Sequence, residues 1–193
     1  MSMEFVIIEL NHLYAVKYQN EEFDEYNRIF EDFSNHAKVS RFFELNKWKI
    51  GQYYVEELGW SRDETEAYTQ KVIEETNELE DILEDLIDNS IDSIPPGLSS
   101  RFKILEGFEE ESMPAMKSYG IGHPSLLRVY AIELGFDQLI IFYSGIKITH
   151  RISDCPILKD NVIQKAFKVI DFLKNNNILN VEDLNSFIGN KKE

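Results

Sequence analysis

Cationic and hydroxyl-bearing side chains stand in the second half of this 193-residue sequence at spacings that suit phosphate chemistry. In Ser125-Leu-Leu-Arg-Val-Tyr130, Arg128 and Tyr130 are two apart, which places them on one face of an extended strand. In Ile146-Lys-Ile-Thr-His-Arg-Ile152, Lys147, Thr149 and Arg151 share one face, and Ile146, Ile148, His150 and Ile152 share the other. Neighbouring strands of this kind would let Arg128 and Arg151 clamp a phosphate through their forked guanidinium groups, with Lys147 adding a point charge. Cleaving an RNA phosphodiester needs a positioned 2′-hydroxyl, charge relief at the phosphorane and a proton for the leaving oxygen. Tyr, Lys, Arg and His supply all three without a metal. Lys117, Tyr130 and His123 are the candidates for proton transfer. A strand with one wet face also carries Lys, Arg and Thr, so the pattern by itself does not separate a site from a surface.

The remaining reactive types are sparse. His123 lies in Gly120-Ile-Gly-His-Pro124, a loop bracketed by glycines that can present a side chain at a sheet end, either as a general acid or as a turn residue. His150 is expected in the core, His12 in a turn and His36 near a helix start. No two histidines stand at HxH or HxxxH spacing, and Cys155 is the only cysteine. A disulfide framework within the chain and a multi-thiolate metal site are therefore excluded, and no cofactor is expected. Cys155 reads as a structural thiol. The sequence holds no GxGxxG, Walker loop, HExxH or GxSxG motif. Glu74-Glu-Thr-Asn-Glu78 with Asp81, Glu84, Asp85 and Asp88 resembles the Glu-rich helix of MazG-like nucleotide pyrophosphohydrolases. That likeness implies Mg²⁺ on one helix face, completed by a second acidic pair; the nearby candidates, Glu56-Glu57 and Asp63 with Glu64, do not repeat the motif cleanly. A solvated acidic face is the plainer reading.

The elements that must position these residues are legible from period and punctuation. Residues 4–9 and 13–18 read as strands of a hairpin turning at Asn11-His12. From residue 21 the period becomes helical through Phe23, Tyr26, Phe30 and Phe33, then through Val39, Phe42 and Phe43, then over 48–58 up to Gly59. Ser61-Arg-Asp-Glu64 is a capping-box pattern with Ser61 as N-cap, opening a helix that runs to Ile91 with Val72, Leu79, Ile82, Leu83, Leu86 and Ile87 on its apolar side. Pro95-Pro96-Gly97 breaks the chain and reads as a hinge. A short strand is expected over 101–106, irregular chain over 108–118, and strands over 126–134, 139–143 and 146–152. Turns at 135–138 and at Ser144-Gly145 would join the last three into a meander. Asp160 should cap a helix carrying Val162, Ile163, Phe167, Ile170 and Leu173, and residues 181–188 a final short one.

Strands and helices come in segregated runs, so the class is α+β. The organisation expected is a single domain over 1–193: a hairpin over 1–20, an acidic helical region over 21–92, a linker over 93–100, and an antiparallel sheet with C-terminal helices over 101–193. Composition agrees with a packed core, with 43% hydrophobic residues and 13 Phe, 9 Tyr and 2 Trp. Net charge is −15, and all of it falls in residues 1–97, where 8 Lys/Arg face 23 Asp/Glu; residues 98–193 balance at 12 and 12. Whole-surface nucleic-acid binding is disfavoured, but residues 112–176 carry a local excess of +3, from 8 Lys/Arg against 5 Asp/Glu. No apolar run approaches a membrane span, and Met1-Ser2-Met3-Glu4 lacks the basic start of a secretory signal. A cytoplasmic protein without membrane contact is expected.

Three stretches of the second half resemble the RelE/ParE/HigB toxin superfamily: Phe102-Lys-Ile-Leu-Glu-Gly107, Ser125-Leu-Leu-Arg-Val-Tyr130 and Leu139-Ile-Ile-Phe-Tyr-Ser-Gly-Ile-Lys147. The family's order is also an N-terminal strand, a helical hairpin and then a meander. The resemblance implies a toxin-type fold that cleaves mRNA with basic and aromatic side chains, RNA or the ribosome as target, and an antitoxin as partner. Arg128 would be the sheet arginine, Lys147 and Arg151 the late basic residues, and Tyr143 or Tyr130 the tyrosine. The chain is longer and more acidic than the family's toxins, and ParE-like members use the scaffold on protein targets. Three readings follow: a metal-independent mRNA endoribonuclease or an inactive relative, a protein-binding module that uses the acidic helices, and an Mg²⁺-dependent nucleotide pyrophosphohydrolase.

Overall fold

The computed structural model describes residues 3–118 and 124–190. Strands β1 (Met3–Glu9) and β2 (Leu13–Tyr18) form the expected antiparallel hairpin. Helices α1 (Glu25–Phe33), α2 (His36–Asn46), α3 (Gln52–Leu58) and α4 (Thr65–Ile91) follow. Then come β3 (Phe102–Ile104), β4 (Ala115–Ser118), β5 (Leu127–Gly135) and β6 (Gln138–Ile146), and last α5 (Lys159–Asn175) and α6 (Val181–Asn190). The class is α+β with a mixed sheet. No helix among the described residues is long and apolar enough to cross a membrane.

The hairpin is not separate from the second half. β2 runs parallel to β6, pairing Leu13 with Leu139 and Ala15 with Ile141, so six strands make one sheet in the order β1-β2-β6-β5-β4-β3. Within residues 101–193 the strands pair antiparallel as expected, β3 with β4, β4 with β5 and β5 with β6, and the parallel β2–β6 pair makes the whole sheet mixed. Both contacting segments are almost wholly buried: Leu13, Tyr14, Ala15, Val16 and Leu139, Ile140, Ile141, Phe142 are all at 0% exposure. A strand buried on both faces reads as a continuous apolar run, as the 139–142 stretch does.

Five sequence expectations fail locally. The chain over 108–118 is not irregular throughout, because β4 pairs Lys117 with Tyr130 on one side and with Lys103 on the other. Ser144-Gly145 is not a turn. β6 continues through it because β5 still offers partners, Val129 to Ser144, Arg128 to Gly145 and Leu127 to Ile146. The strand expected over 146–152 is consequently absent, and the chain leaves the sheet after Ile146 as a loop that ends in a 3₁₀ turn over Ile152–Asp154. Helix α4 begins at Thr65, not after Ser61; the Ser61 N–H donates to Glu64 Oε2 at 2.5 Å, but the residues between form a turn. Asp160 lies in the first turn of α5, whose N-cap is Leu158.

Helix α4 buries Tyr68, Val72, Glu75, Leu79, Leu83 and Leu86 and leaves Glu74, Glu78, Asp81, Asp85 and Asp88 exposed. Phe43 of α2 stacks on Tyr68 with ring centroids 5.5 Å apart. At the other end, Phe5 of β1, Phe172 of α5 and Phe187 of α6 meet edge to face. The segment after Pro95-Pro96-Gly97 is clamped, where a hinge was expected. The Ser99 N–H donates to Asp137 Oδ1 at 2.6 Å, and the Asp137 N–H donates to Ser99 Oγ at 2.8 Å. This ties the linker to the tip of the β5–β6 hairpin, whose turn residue Asp137 has φ +56°.

Candidate functional site

Strand register brings three side chains into a row. Lys103 on β3 is opposite Lys117 on β4, and Lys117 is opposite Tyr130 on β5. Directly opposed residues share a face, and Arg128, two residues from Tyr130, shares it too. The loop after β6 completes the group. The Lys147 N–H donates to the Leu126 carbonyl at 2.7 Å, and the Gly51 N–H, at the start of α3, donates to the Ile148 carbonyl at 2.7 Å. Thr149 Oγ1 donates to the Arg151 carbonyl at 2.7 Å and folds the loop back. A Cβ on Gly51 would stand 3.3 Å from Ile148 O and from Thr149 Cα, so any larger residue there would press the loop back from α3 by a few tenths of an ångström.

The result is a cleft of about 410 Å³ lined by Lys103, Lys117, Arg128, Lys147 and Arg151, with Tyr53, Tyr54, Tyr130 and His150 and a single carboxylate, Glu106. Five of the six predicted site residues, Lys117, Arg128, Tyr130, Lys147 and Arg151, line it together. The sixth, His123, lies outside the described residues. Lys147 and Arg151 arrive by the loop, not by the adjacent strand that the sequence suggested. No acidic side chain lies within 4.0 Å of the charged ends of Lys117, Arg128, Lys147 or Arg151 among the described residues.

His150 corrects its expectation: it is exposed, lines the cleft and packs edge-on against the Tyr53 ring at 4.4 Å. The expectation counted strand period through a segment that is loop. Lys103, Tyr53 and Tyr54 were also missed as site residues. Lys103 is visible in the sequence beside Phe102, but its pairing with Lys117 is not. Of the two tyrosines, Tyr130 faces the cleft; Tyr143 instead carries Lys165 Nζ at 4.4 Å over its ring and Arg28 at 5.5 Å. Cys155 is buried, which takes it out of reach as a nucleophile.

Crowding of like charge shapes the electrostatics. Burial, then the neighbouring Arg128 and Lys117, bring the Lys147 ammonium down to about 8 from the ordinary lysine value. Burial and Lys103 also lower Lys117. Burial raises the Tyr130 phenol, which therefore stays protonated and offers a hydrogen bond. It takes no hydrogen bond among the described residues.

The sign of the Lys147 shift gives a pH prediction. Its folded value is depressed, so the folded state sheds this proton first, and between about 8 and the unfolded lysine value the unfolded chain binds more protons. The cost of burying the cation is present in full below about 8 and disappears as pH rises through that window. Anion affinity of the cleft should run the other way and fall as pH passes about 8. Lys147→Arg should carry the affinity past this point, and phosphate titrations across the pH series would read it; identical pH curves for the two proteins would remove Lys147 from the argument.

Glu75 does not face a cation site. Its carboxylate accepts the Leu126 and Leu127 N–H groups, at 2.9 and 2.7 Å, and the Ser125 hydroxyl at 3.0 Å. Among the described residues no group of three or more His, Cys, Asp or Glu side chains is arranged to hold a metal ion. The Mg²⁺ site imagined on α4 thus has no second acidic face to complete it. Compared with protein-family models, with curated proteins and with solved structures, the chain matches none of them.

Proposed function

We propose that the cleft binds the phosphodiester backbone of RNA and that the protein is a RelE-like, toxin-type endoribonuclease working without a metal. One observation carries this reading: cations from two strands and a loop converge around a buried tyrosine with no ion pair to neutralise Lys117, Arg128, Lys147 or Arg151 among the described residues. Concentrated positive charge with aromatic walls is what a phosphate bearing a base requires. In the reaction the 2′-oxygen attacks phosphorus and the bond to the 5′-oxygen breaks, leaving a 2′,3′-cyclic phosphate and a 5′-hydroxyl. Arg128 and Arg151 relieve charge on the phosphorane, and Tyr130 donates a hydrogen bond to it. Lys147, whose ammonium is weakened by its neighbours, takes the 2′-hydroxyl proton, and Lys117, His123 or the imidazole of His150 returns one to the leaving oxygen.

The purified protein should cleave single-stranded RNA in excess EDTA to cyclic-phosphate ends, and its induction in cells should arrest growth. Intact RNA after prolonged incubation, together with unaffected growth, would overturn the reading. A second reading draws on α4, where Glu74, Glu78, Asp81, Asp85 and Asp88 are exposed along the helix. No ion pair within 4.0 Å holds any of them among the described residues. Such a face suits a basic protein partner such as an antitoxin, and stable co-purification of one without any RNA cleavage would favour it.

A further inference from the structure

The acidic helix and the cationic cleft meet at one place. Glu75 is 3% exposed and sits on the inner stripe of α4. Its two oxygens take the backbone N–H groups of Leu126 and Leu127 and the Ser125 hydroxyl, and Lys71 Nζ lies 3.3 Å away. Arg128 Nη1 donates to Ser125 Oγ at 2.8 Å and to the Leu127 carbonyl at 2.7 Å. From the other side, the Tyr54 hydroxyl donates to the Ser125 carbonyl at 2.8 Å. Among the described residues, every polar group that fixes the Arg128 guanidinium therefore belongs to the short segment that Glu75 holds.

We infer that Glu75 is a positioning residue: its buried carboxylate, acting through Ser125, sets the Arg128 guanidinium in the cleft. This rests on the reading of the cleft as a phosphodiester site. The serine hydroxyl has one proton. While Ser125 Oγ accepts from Arg128, that proton goes to Glu75 Oε2, or less directly to the Leu127 carbonyl 3.2 Å away. The carboxylate keeps the Ser125 lone pairs turned toward the guanidinium. A glutamine at 75 keeps one acceptor oxygen and turns the other into an N–H₂ donor, so it cannot accept from Ser125, Leu126, Leu127 and Lys71 together, and it loosens the segment that fixes Arg128. Arg128 Nη2 and Nε make no hydrogen bond among the described residues and remain for a ligand.

Charge and position predict opposite signs, which makes the inference testable. Glu75 is an anion close to an anion-binding cleft. If it acted only through space, its neutralisation would tighten phosphodiester binding. If it positions Arg128, neutralisation weakens binding. The probe is a fluorescein-labelled 2′-O-methyl RNA hexanucleotide, which cannot be cleaved at the 2′ position, read by polarisation at low salt. Glu75→Gln and Ser125→Ala should each weaken binding about tenfold, the scale of one hydrogen bond to a charged group. In an Arg128→Ala background the same changes should add less than about twofold, because the group they position is gone. Ser125→Ala keeps the carboxylate and removes only the link, so it serves where Glu75→Gln folds poorly.

Unchanged or tighter binding in both variants would overturn the inference while leaving the cleft reading in place. Failure of the wild-type protein to bind would overturn the cleft reading. In that case the Arg128 Nε–Hε resonance still decides: displacement by Ser125→Ala supports the positioning role, and an unmoved signal ends it.

Discussion

RNA cleavage by Arg128→Ala should fall about 10²- to 10³-fold below wild type, with the melting temperature close to unchanged. The magnitude is that of losing one preorganised donor to a developing oxyanion. Arg128 is suited to that task because part of its fork is already spent. Nη1 is committed to Ser125 Oγ and the Leu127 carbonyl, so the plane of the group is fixed before any ligand arrives. The fold has little stake in it, since the side chain is half-buried and no carboxylate lies within 4.0 Å of it among the described residues. Arg128→Lys keeps the charge and loses the fork, and should recover only a small part of the activity. There is a companion effect on Lys147. Arg128 is the largest neighbouring-charge contribution to its depressed value, so removing it should shift the acid limb of the cleavage pH profile, where Lys147 becomes a base, upward. Cleavage by Arg128→Ala at the wild-type rate, measured as initial rates at matched RNA concentration, would detach this cleft from the proposed chemistry.

How much of this could be read from the sequence follows the range of the interactions. The hairpin of β1 and β2 is local, and alternation with the Asn11-His12 turn gave it nearly to the residue. Its partner is β6, more than a hundred residues on, and nothing near Leu13 announces the parallel pairing with Leu139. The strand β4 has only four residues, too few for alternation to rise above the surrounding polar chain. Ser144-Gly145 has the composition of a hairpin turn, and it continues as strand because β5 remains to be paired. That one misreading moved His150 to the wrong side and made a strand of the loop that carries Lys147 and Arg151. The residue types were nonetheless informative: five of the six candidates line one cleft, although the Gly51 contact that seats the loop is invisible at a distance of some hundred residues. Glu75 was read as one carboxylate of a wet, Mg²⁺-holding face, although its burial was legible. It stands three from Val72 and four from Leu79, in phase with the buried stripe, where Glu74 and Glu78 are out of it.

Of the stability changes, the largest expected belongs to Glu25. Glu25→Ala should cost about 3–5 kcal/mol in urea denaturation, the range for breaking a buried ion pair from one side. The carboxylate is nearly inaccessible at the first turn of α1. Its Oε2 accepts from Arg28 Nε at 2.9 Å and Nη2 at 2.6 Å, and its Oε1 accepts from Lys165 Nζ of α5 at 2.9 Å. Removing it strands two cations that have little water to turn to. Arg28 keeps Asp32 at 3.2 Å and the Ser144 carbonyl and hydroxyl at 3.1 and 3.0 Å, so it is partly compensated. Among the described residues Lys165 keeps the faces of Tyr18 and Tyr143, at 4.1 and 4.4 Å, and the more distant charge of Glu21, which stabilise a cation less than a paired carboxylate does. Burial already lowers the Lys165 value, with Glu25 opposing it, so loss of Glu25 should drive Lys165 to shed its proton nearer neutrality. The deficit should therefore shrink as pH rises, because the stranded cation becomes neutral. Glu25→Ala combined with Lys165→Met should be less destabilised than Glu25→Ala alone, since the second change removes the uncompensated charge and leaves an apolar stem against the tyrosines. A loss under about 1 kcal/mol for the single variant would mean that water reaches this junction of α1, α5 and β6. The junction matters beyond stability because Arg28 holds Ser144, three residues before Lys147, and so steadies the strand from which the cleft loop departs.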